Sequence, residues 1–445
     1  MKSLLKENKI TLLLALPIAS GQLSQMLLGL VDTIMIGRLG TEQLGAAAFV
    51  NVLFNFPFVF GIGLFSAISV MVSHRHGARK HAEAGEAFRN GFIISVLLSI
   101  LLAGSMLALL PILDVFKQPP IVTELAPDYL FWIALSLIPM IPALTIKNFA
   151  EAKNEPWTVL WVMLGGVALN VVLNYALIFG NLGLPKLGLE GGGLATFIAR
   201  VVTLAVLWRY LNRSKRLSPS VPKRWLVKLD RILCTDTIKM ALPICGQLTM
   251  EFGSFAVAAL LIGQFGSTSL AAHQIAISCA AFTFMVPLGI SLAVTIRVGH
   301  AIGAGEVNRS RRIIVGAHIS AFILMFLTAA AFILGGDFIA AGFSPDPAVI
   351  TLAGSLFIIV AFFQISDGFQ IISQGALRGL RDVNVPTIMI FISFWVVGIP
   401  LGAWLGFGYG LEAKGLWIGL AIGLTLAAVI LTARLAQLVK RAESA

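Results

Sequence analysis

Residues 15–23 read ALPIASGQL, and residues 241–248 read ALPICGQL. The two prolines, Pro17 and Pro243, stand 226 positions apart. At the same spacing, Gly37-Arg38-Leu39-Gly40 meets Gly263-Gln264-Phe265-Gly266, His74 meets His300, Gly77 meets Gly303 and Leu130-Phe131 meets Leu356-Phe357. Further along, Gly188-Leu189-Glu190 meets Gly410-Leu411-Glu412 at a spacing of 222. Leucine-rich segments resemble one another by chance, but a nearly constant offset that includes Pro, Gly, His and Glu indicates a duplicated chain. The second copy of the proline motif lies mid-chain, where it is no signal sequence. The first is therefore expected to begin a spanning helix, despite its basic flank and its small residues Ala19-Ser20-Gly21.

The composition says what is duplicated. Of 445 residues, 58% are hydrophobic and 12% are charged. A soluble domain carries roughly 25% charged residues, so a soluble enzyme, a disordered chain and a secreted disulfide scaffold are excluded. Twelve apolar runs are each long enough to cross the roughly 30 Å hydrocarbon core as a helix, the first at 10–36 and the last at 414–438. The expected fold is an all-α polytopic membrane protein with 12 transmembrane helices in two six-helix bundles, a 6+6 parallel repeat. An N-terminal bundle spans 1–211, a polar linker spans 212–235, and a C-terminal bundle spans 236–445. Six is an even number, so both halves insert with the same orientation. Transporters are commonly built this way, with sites near the midplane at the repeat interface.

The net charge of +11 invites a nucleic-acid reading, but its distribution does not. Only Arg38, Lys117, Lys186 and Lys414 fall on the side opposite the N-terminus, and Arg200 alone falls within a span. The other cations, including Arg75, Lys147, Arg297, Arg378 and the linker's Lys223, Arg224 and Lys228, collect on the N-terminal side. That asymmetry orients membrane proteins. Both termini are expected in the cytoplasm and the chain in a cell inner membrane, with the lipid bilayer and no nucleic acid as partner. Cys234, Cys245 and Cys279 form no disulfide framework or metal motif. No Walker motif, phosphate loop or HExxH appears, so neither an enzyme nor an ATP-driven pump is expected.

Three acids lie within spans: Asp32, Glu251 and Asp367. Ionisable groups there are costly and mark ion or substrate paths. Glu251 is 12 residues beyond Lys239 and Asp367 is 11 residues before Arg378. These spacings correspond to depths of roughly 18 and 16 Å from one end. Two carboxylates at one depth suit a shared cation or a shared proton. Asp32 lies near the opposite surface, where it either forms part of a pocket or pairs with Arg38. Asn170 and Asn174 share a helix face and either glue helices or complete a pocket with Asp32. Gln274 is a candidate donor to a cavity, and its neighbour His273 suits helix packing. Pro17 and Pro243 are candidate hinges. Arg200 is expected to pair with carbonyls or a carboxylate. The phenylalanines of the second span face lipid or line a pocket.

Three stretches resemble the multidrug and toxic compound extrusion (MATE) family, in its NorM-like branch: VDTIMIGRLGTEQLGA (31–46), LPICGQLTMEFGSF (242–255) and QISDGFQIISQGALRGLRDVNVP (364–386). The resemblance implies a secondary active antiporter that exports organic cations, such as drugs and dyes, in exchange for Na⁺ or H⁺ by alternating access. It places ion coupling at Glu251, Asp367 and Asp32, of which Glu251 and Asp367 would ligate Na⁺ in a sodium-coupled member. It assigns substrate contacts to Asp32, Glu251, Asp367, Asn170 and Asn174. Some sodium-coupled members carry Tyr where this chain has Phe363, which removes a hydroxyl ligand. No organic cofactor is implied, and a monomer is expected. Alternatives are a lipid-linked oligosaccharide flippase, which needs a basic cavity, and a non-transporting receptor or enzyme, which needs a sensor domain or catalytic set.

Overall fold

A computed structural model of the chain describes residues 2–222, 225 and 229–444; the linker cations Lys223, Arg224 and Lys228 lie outside the described residues. Twelve helices among these residues are long and apolar enough to span a membrane. They are α1 Lys2–Gly37, α2 Thr41–Gly77, α3 His81–Leu107, α4 Pro120–Ala152, α5 Pro156–Phe179 and α6 Gly188–Arg213, followed by α7 Arg231–Gly263, α8 Ser267–Gly303, α9 Val307–Ala341, α10 Pro347–Gly379, α11 Asn384–Gly408 and α12 Glu412–Ser444. The duplication is visible in the punctuation. Helices α2 and α8 begin and end 226 residues apart. Each follows a glycine at positive φ, Gly40 at 144° and Gly266 at 107°, a conformation that side chains disfavour.

The helices outrun the sequence-expected spans. Helices α2 and α8 have 37 residues each, or about 55 Å, so they project beyond the hydrocarbon core. Three cations expected in cytoplasmic loops are instead buried within helices: Lys147 at 5%, Arg297 at 5% and Arg378 at 6% exposure. Each has partners that explain its burial. Lys147 bonds Glu151 one turn on at 2.8 Å, Arg297 bonds Glu7, and Arg378 bonds two glutamines.

The chain folds into two compact units, Ser20–Cys245 and Met1–Ala19 with Gly246–Ala445. Helices α1 and α7 each change unit two residues after their proline, at Ala19/Ser20 and Cys245/Gly246. The unit boundaries thus fall inside two helices and not in the linker.

In the unit Ser20–Cys245, α4 is the central helix, packed by α2, α3 and α6. The start of the linker seals this unit. Leu217 is fully buried, and a Cβ on Gly85 would stand 2.3 Å from the Ser220 carbonyl oxygen. The Trp225 indole lies 5.0 Å from the Trp208 ring, 5.5 Å from Phe92 and 6.0 Å from Phe88. Trp225→Ala removes these ring contacts, each worth roughly 0.5–1.5 kcal/mol beyond area burial. Faster trypsin cleavage of the linker, with little change in helix content, is the expected result. A cleavage rate equal to wild type would show that the indole does not hold the linker.

In the other unit, α10 takes the central place, packed by α8, α9 and α12. The first turns of α1 are fastened there. Glu7 accepts from Arg297 and from Arg309 Nε at 3.2 Å, while Thr11 Oγ1 accepts from Arg297. Helix α11 contains two π-helical segments, 392–398 and 404–408. Along it, Gly398, Gly402 and Gly406 face Gly415, Gly419 and Gly423 of α12. Small residues at four-residue spacing let membrane helices touch backbone to backbone.

Candidate functional site

The expected acids fall into two clusters, one in each unit. In the unit Ser20–Cys245, Asp32 of α1 accepts a hydrogen bond from Asn174 Nδ2 at 2.5 Å. The same amide donates to Asn170 Oδ1 at 3.0 Å. Asn170 Nδ2 donates to Thr196 Oγ1 at 3.2 Å, which donates on to the Gly192 carbonyl at 3.0 Å. The spacing of 170 and 174 puts both amides on one face of α5, and α6 supplies the end of the chain. Asn174 Oδ1 is buried without a partner among the described residues, an open acceptor on the amide that holds the carboxylate. The Asp32–Arg38 pairing is not formed, because Arg38 is exposed and Asp32 is held by Asn174.

Arg200 of α6 belongs to this cluster. It attracts Asp32 electrostatically, donates to Ser136 Oγ, and lies over the Phe54 ring at 5.1 Å from the centroid. A cation–π contact and a nearby carboxylate explain how a guanidinium is tolerated at mid-span. Of the second-span phenylalanines, Phe54 points inward, whereas Phe56 and Phe60 are exposed. A cavity of about 80 Å³ adjoins the cluster, lined by Gln25, Asn170, Thr196, Arg200 and Thr203 among others. Gln25 is the repeat counterpart of Glu251.

In the second unit, Glu251 of α7 is gripped by amides. Its Oε1 accepts from Gln370 and from Gln374 Nε2 at 2.6 Å. Arg378 donates to Gln374 Oε1 and to Gln247 Oε1, both at 3.1 Å, so it reaches Glu251 through Gln374. Asp367 is electrostatically coupled to Glu251 and has no hydrogen-bond partner among the described residues. One carboxylate is thus fixed, and the other, electrostatically coupled to it, is left without a hydrogen bond among the described residues. Like charges so placed in a low dielectric repel strongly, and a proton or a small cation relieves that repulsion. Phe363 is buried against Phe255 and Trp417 and offers no oxygen. Trp395, in the first π segment of α11, donates Nε1–H to the Met250 carbonyl at 3.0 Å, which ties that segment to the turn bearing Glu251.

Gln370, Gln374, Arg378 and Gln247 escaped the sequence reading, although a signal was present. Gln364, Asp367, Gln370, Gln374 and Arg378 recur every three or four residues along one face of α10, and Gln247 lies one turn before Glu251. Gln274 joins neither cluster; it is exposed and has no hydrogen bond among the described residues. His273 packs its ring 5.6 Å from Trp417, and its buried Nδ1 has no hydrogen-bond partner among the described residues. The three cysteines are free.

The MatE family model matches residues 17–176 and 243–404, both halves of the repeat. The chain belongs to the MatE family. It is 34% identical over 425 residues to "Probable multidrug resistance protein NorM" of Xylella fastidiosa, covering 96% of this chain and 91% of that protein. It is 37% identical over 435 residues to the protein of the same name in Bradyrhizobium diazoefficiens, covering 97% and 93%. A crystal structure of a Vibrio cholerae MATE transporter, VcmN, superposes with a TM-score of 0.91 at 20% identity, covering 99% of both chains. This MatE protein is a multi-pass membrane transporter and not an enzyme.

Proposed function

We propose that this MatE protein exports organic cations, including drugs and dyes, in exchange for Na⁺ or H⁺. The observation that carries the reading is the Glu251–Asp367 pair, one carboxylate fixed by two amides and the other, electrostatically coupled to it, free of hydrogen bonds among the described residues. An ion that neutralises the pair weakens the hold on a cationic cargo, and departure of the ion restores it. The NorM-named relatives, described as multidrug resistance proteins, support the substrate class. Asp32, with Asn170 and Asn174, is the second cation-attracting site. Pro17 and Pro243, beside the points where α1 and α7 change unit, are the hinges of an alternating-access motion. The buried phenyl ring of Phe363 favours H⁺ over Na⁺. Both termini lie in the cytoplasm, because most cations collect on that side.

The test is dye export from proteoliposomes with Na⁺ and pH gradients imposed separately. Export driven by the pH gradient alone is the expected result, and export driven by neither overturns the antiport reading. Asn174→Ala strips Asp32 of its amide donor. Hydrogen bonds to charged groups contribute roughly 1.5–3 kcal/mol, so at subsaturating dye its transport should fall at least about tenfold. Unchanged transport would remove Asp32 and Asn174 from the substrate path.

A further inference from the structure

Each unit has a groove beside its central helix, and the described residues fill only one of the two. In the unit Ser20–Cys245, α3 and α6 both pack on α4, and the linker's Trp225 sits among Phe88, Phe92 and Trp208. In the other unit, α9 and α12 likewise flank α10. The repeat replaces Phe88 by Ile314 and Phe92 by His318. There no indole enters. A groove of about 830 Å³ remains, walled by Ile314, Ile319, Phe322, Phe369 and Leu435 among others. Its volume lies within the range of about 300–1,000 Å³ typical of ligand pockets.

The chemistry of this groove names its occupant. The polar groups inside bond one another: His318 Nε2 to Ser373 Oγ at 3.0 Å, His318 Nδ1 to the Ile314 carbonyl at 2.9 Å, and Ser373 Oγ to Thr432 Oγ1 at 2.9 Å. What remains on offer is apolar. Val315, Ile319 and Phe322 along the rim are 40–44% exposed, on helices whose outer faces meet lipid. The end where α9 begins and α12 finishes is charged. Lys440 makes no ion pair among the described residues. Arg311 is 63% exposed in its side chain, and its Nη1 lies 3.2 Å from Glu443, an exposed pairing too weak to cancel its charge toward a ligand. Basic pockets between helices at a membrane surface bind anionic headgroups.

We propose that this groove binds an anionic phospholipid, with an acyl chain along Phe322, Phe369 and Leu435 and the phosphate at Arg311 and Lys440. The lipid fills in one repeat the place that the linker indole fills in the other. This goes beyond the transport reading and does not depend on it.

The experiment is native mass spectrometry of the purified protein titrated with phosphatidylglycerol or phosphatidylcholine of matched chains. Wild type should retain phosphatidylglycerol preferentially. Arg311→Ala and Lys440→Ala should each weaken that retention about fivefold while leaving phosphatidylcholine unchanged. Glu443→Gln should strengthen it, and Thr432→Trp, which places an indole in the groove, should displace both lipids. Both cations are exposed, so their removal leaves folding intact. Equal retention of the two lipids by wild type, or unchanged phosphatidylglycerol in the double alanine variant, overturns the proposal. So does a groove closed by a second copy of the chain, seen as dimer mass without lipid.

Discussion

Proteoliposomes bearing Asp367→Asn or Glu251→Gln are expected to show no ion-driven dye movement above protein-free vesicles. Moving one charge through 100 mV supplies about 2.3 kcal/mol, equivalent to roughly a fiftyfold concentration ratio of cargo. In the antiport proposed above, an amide in place of either carboxylate would remove a group that alternates between ion and cargo, leaving that driving force nothing to act on. The two variants should differ in another respect. Asp367 makes no hydrogen bond among the described residues, so Asp367→Asn should leave folding stability near wild type. Glu251 is the anion that Arg378 reaches through Gln374. Glu251→Gln replaces a charged acceptor of two amide hydrogen bonds by a neutral one, and hydrogen bonds to charged groups contribute roughly 1.5–3 kcal/mol, so it should lower stability more than Asp367→Asn does. Asp337→Asn, at an exposed acid on α9, serves as the control and should transport normally. Ion-driven export surviving in both site variants would remove the pair from the mechanism.

Gly419→Val is expected to be the most damaging substitution of a small residue. A Cβ at Gly419 would stand 2.3 Å from both the Cα and the nitrogen of Gly402, and 2.5 Å from the Gly398 carbonyl oxygen. These are backbone atoms, so no side chain can swing aside; α11 and α12 have to separate. Overpacking a filled interior costs about 1–3 kcal/mol, and a branched side chain at a backbone contact belongs at the upper end. The helices that part are α12, which packs on α10, and α11, whose Trp395 reaches the turn of Glu251. A lower unfolding midpoint and lower yield in detergent are therefore expected, together with impaired transport. Gly104→Ala is the comparison, because a Cβ there meets nothing within 4 Å. If Gly419→Val unfolds at the same temperature as Gly104→Ala, the close glycine contact is not what holds α11 to α12.

Much of this was legible in the residues. Apolar run length gives the twelve helices, and the offset between Pro17 and Pro243 reappears in the bounds of α2 and α8. The spacing of Asn170 and Asn174 anticipated their shared face, although only the structure shows that Asn174 reaches Asp32. The glutamines around Glu251 were less visible, because attention to charge passes over amides and because Arg378 reads as a loop cation until its partners are known. The π segments of α11 leave no simple composition signature; Gly398, Gly402 and Gly406 mark a close approach without saying how the helix accommodates it. The passage of α1 from one unit to the other is a tertiary fact that no local pattern encodes.

That passage has a consequence for how the chain is made. Glu7 and Thr11 are synthesised well before their partner Arg297, which lies 290 and 286 residues downstream. At about 5–20 residues per second, the ribosome needs roughly 15–60 s to deliver it. Through that interval α1 has its first turns unclaimed by Arg297, and they are fastened there only once α8 has been made.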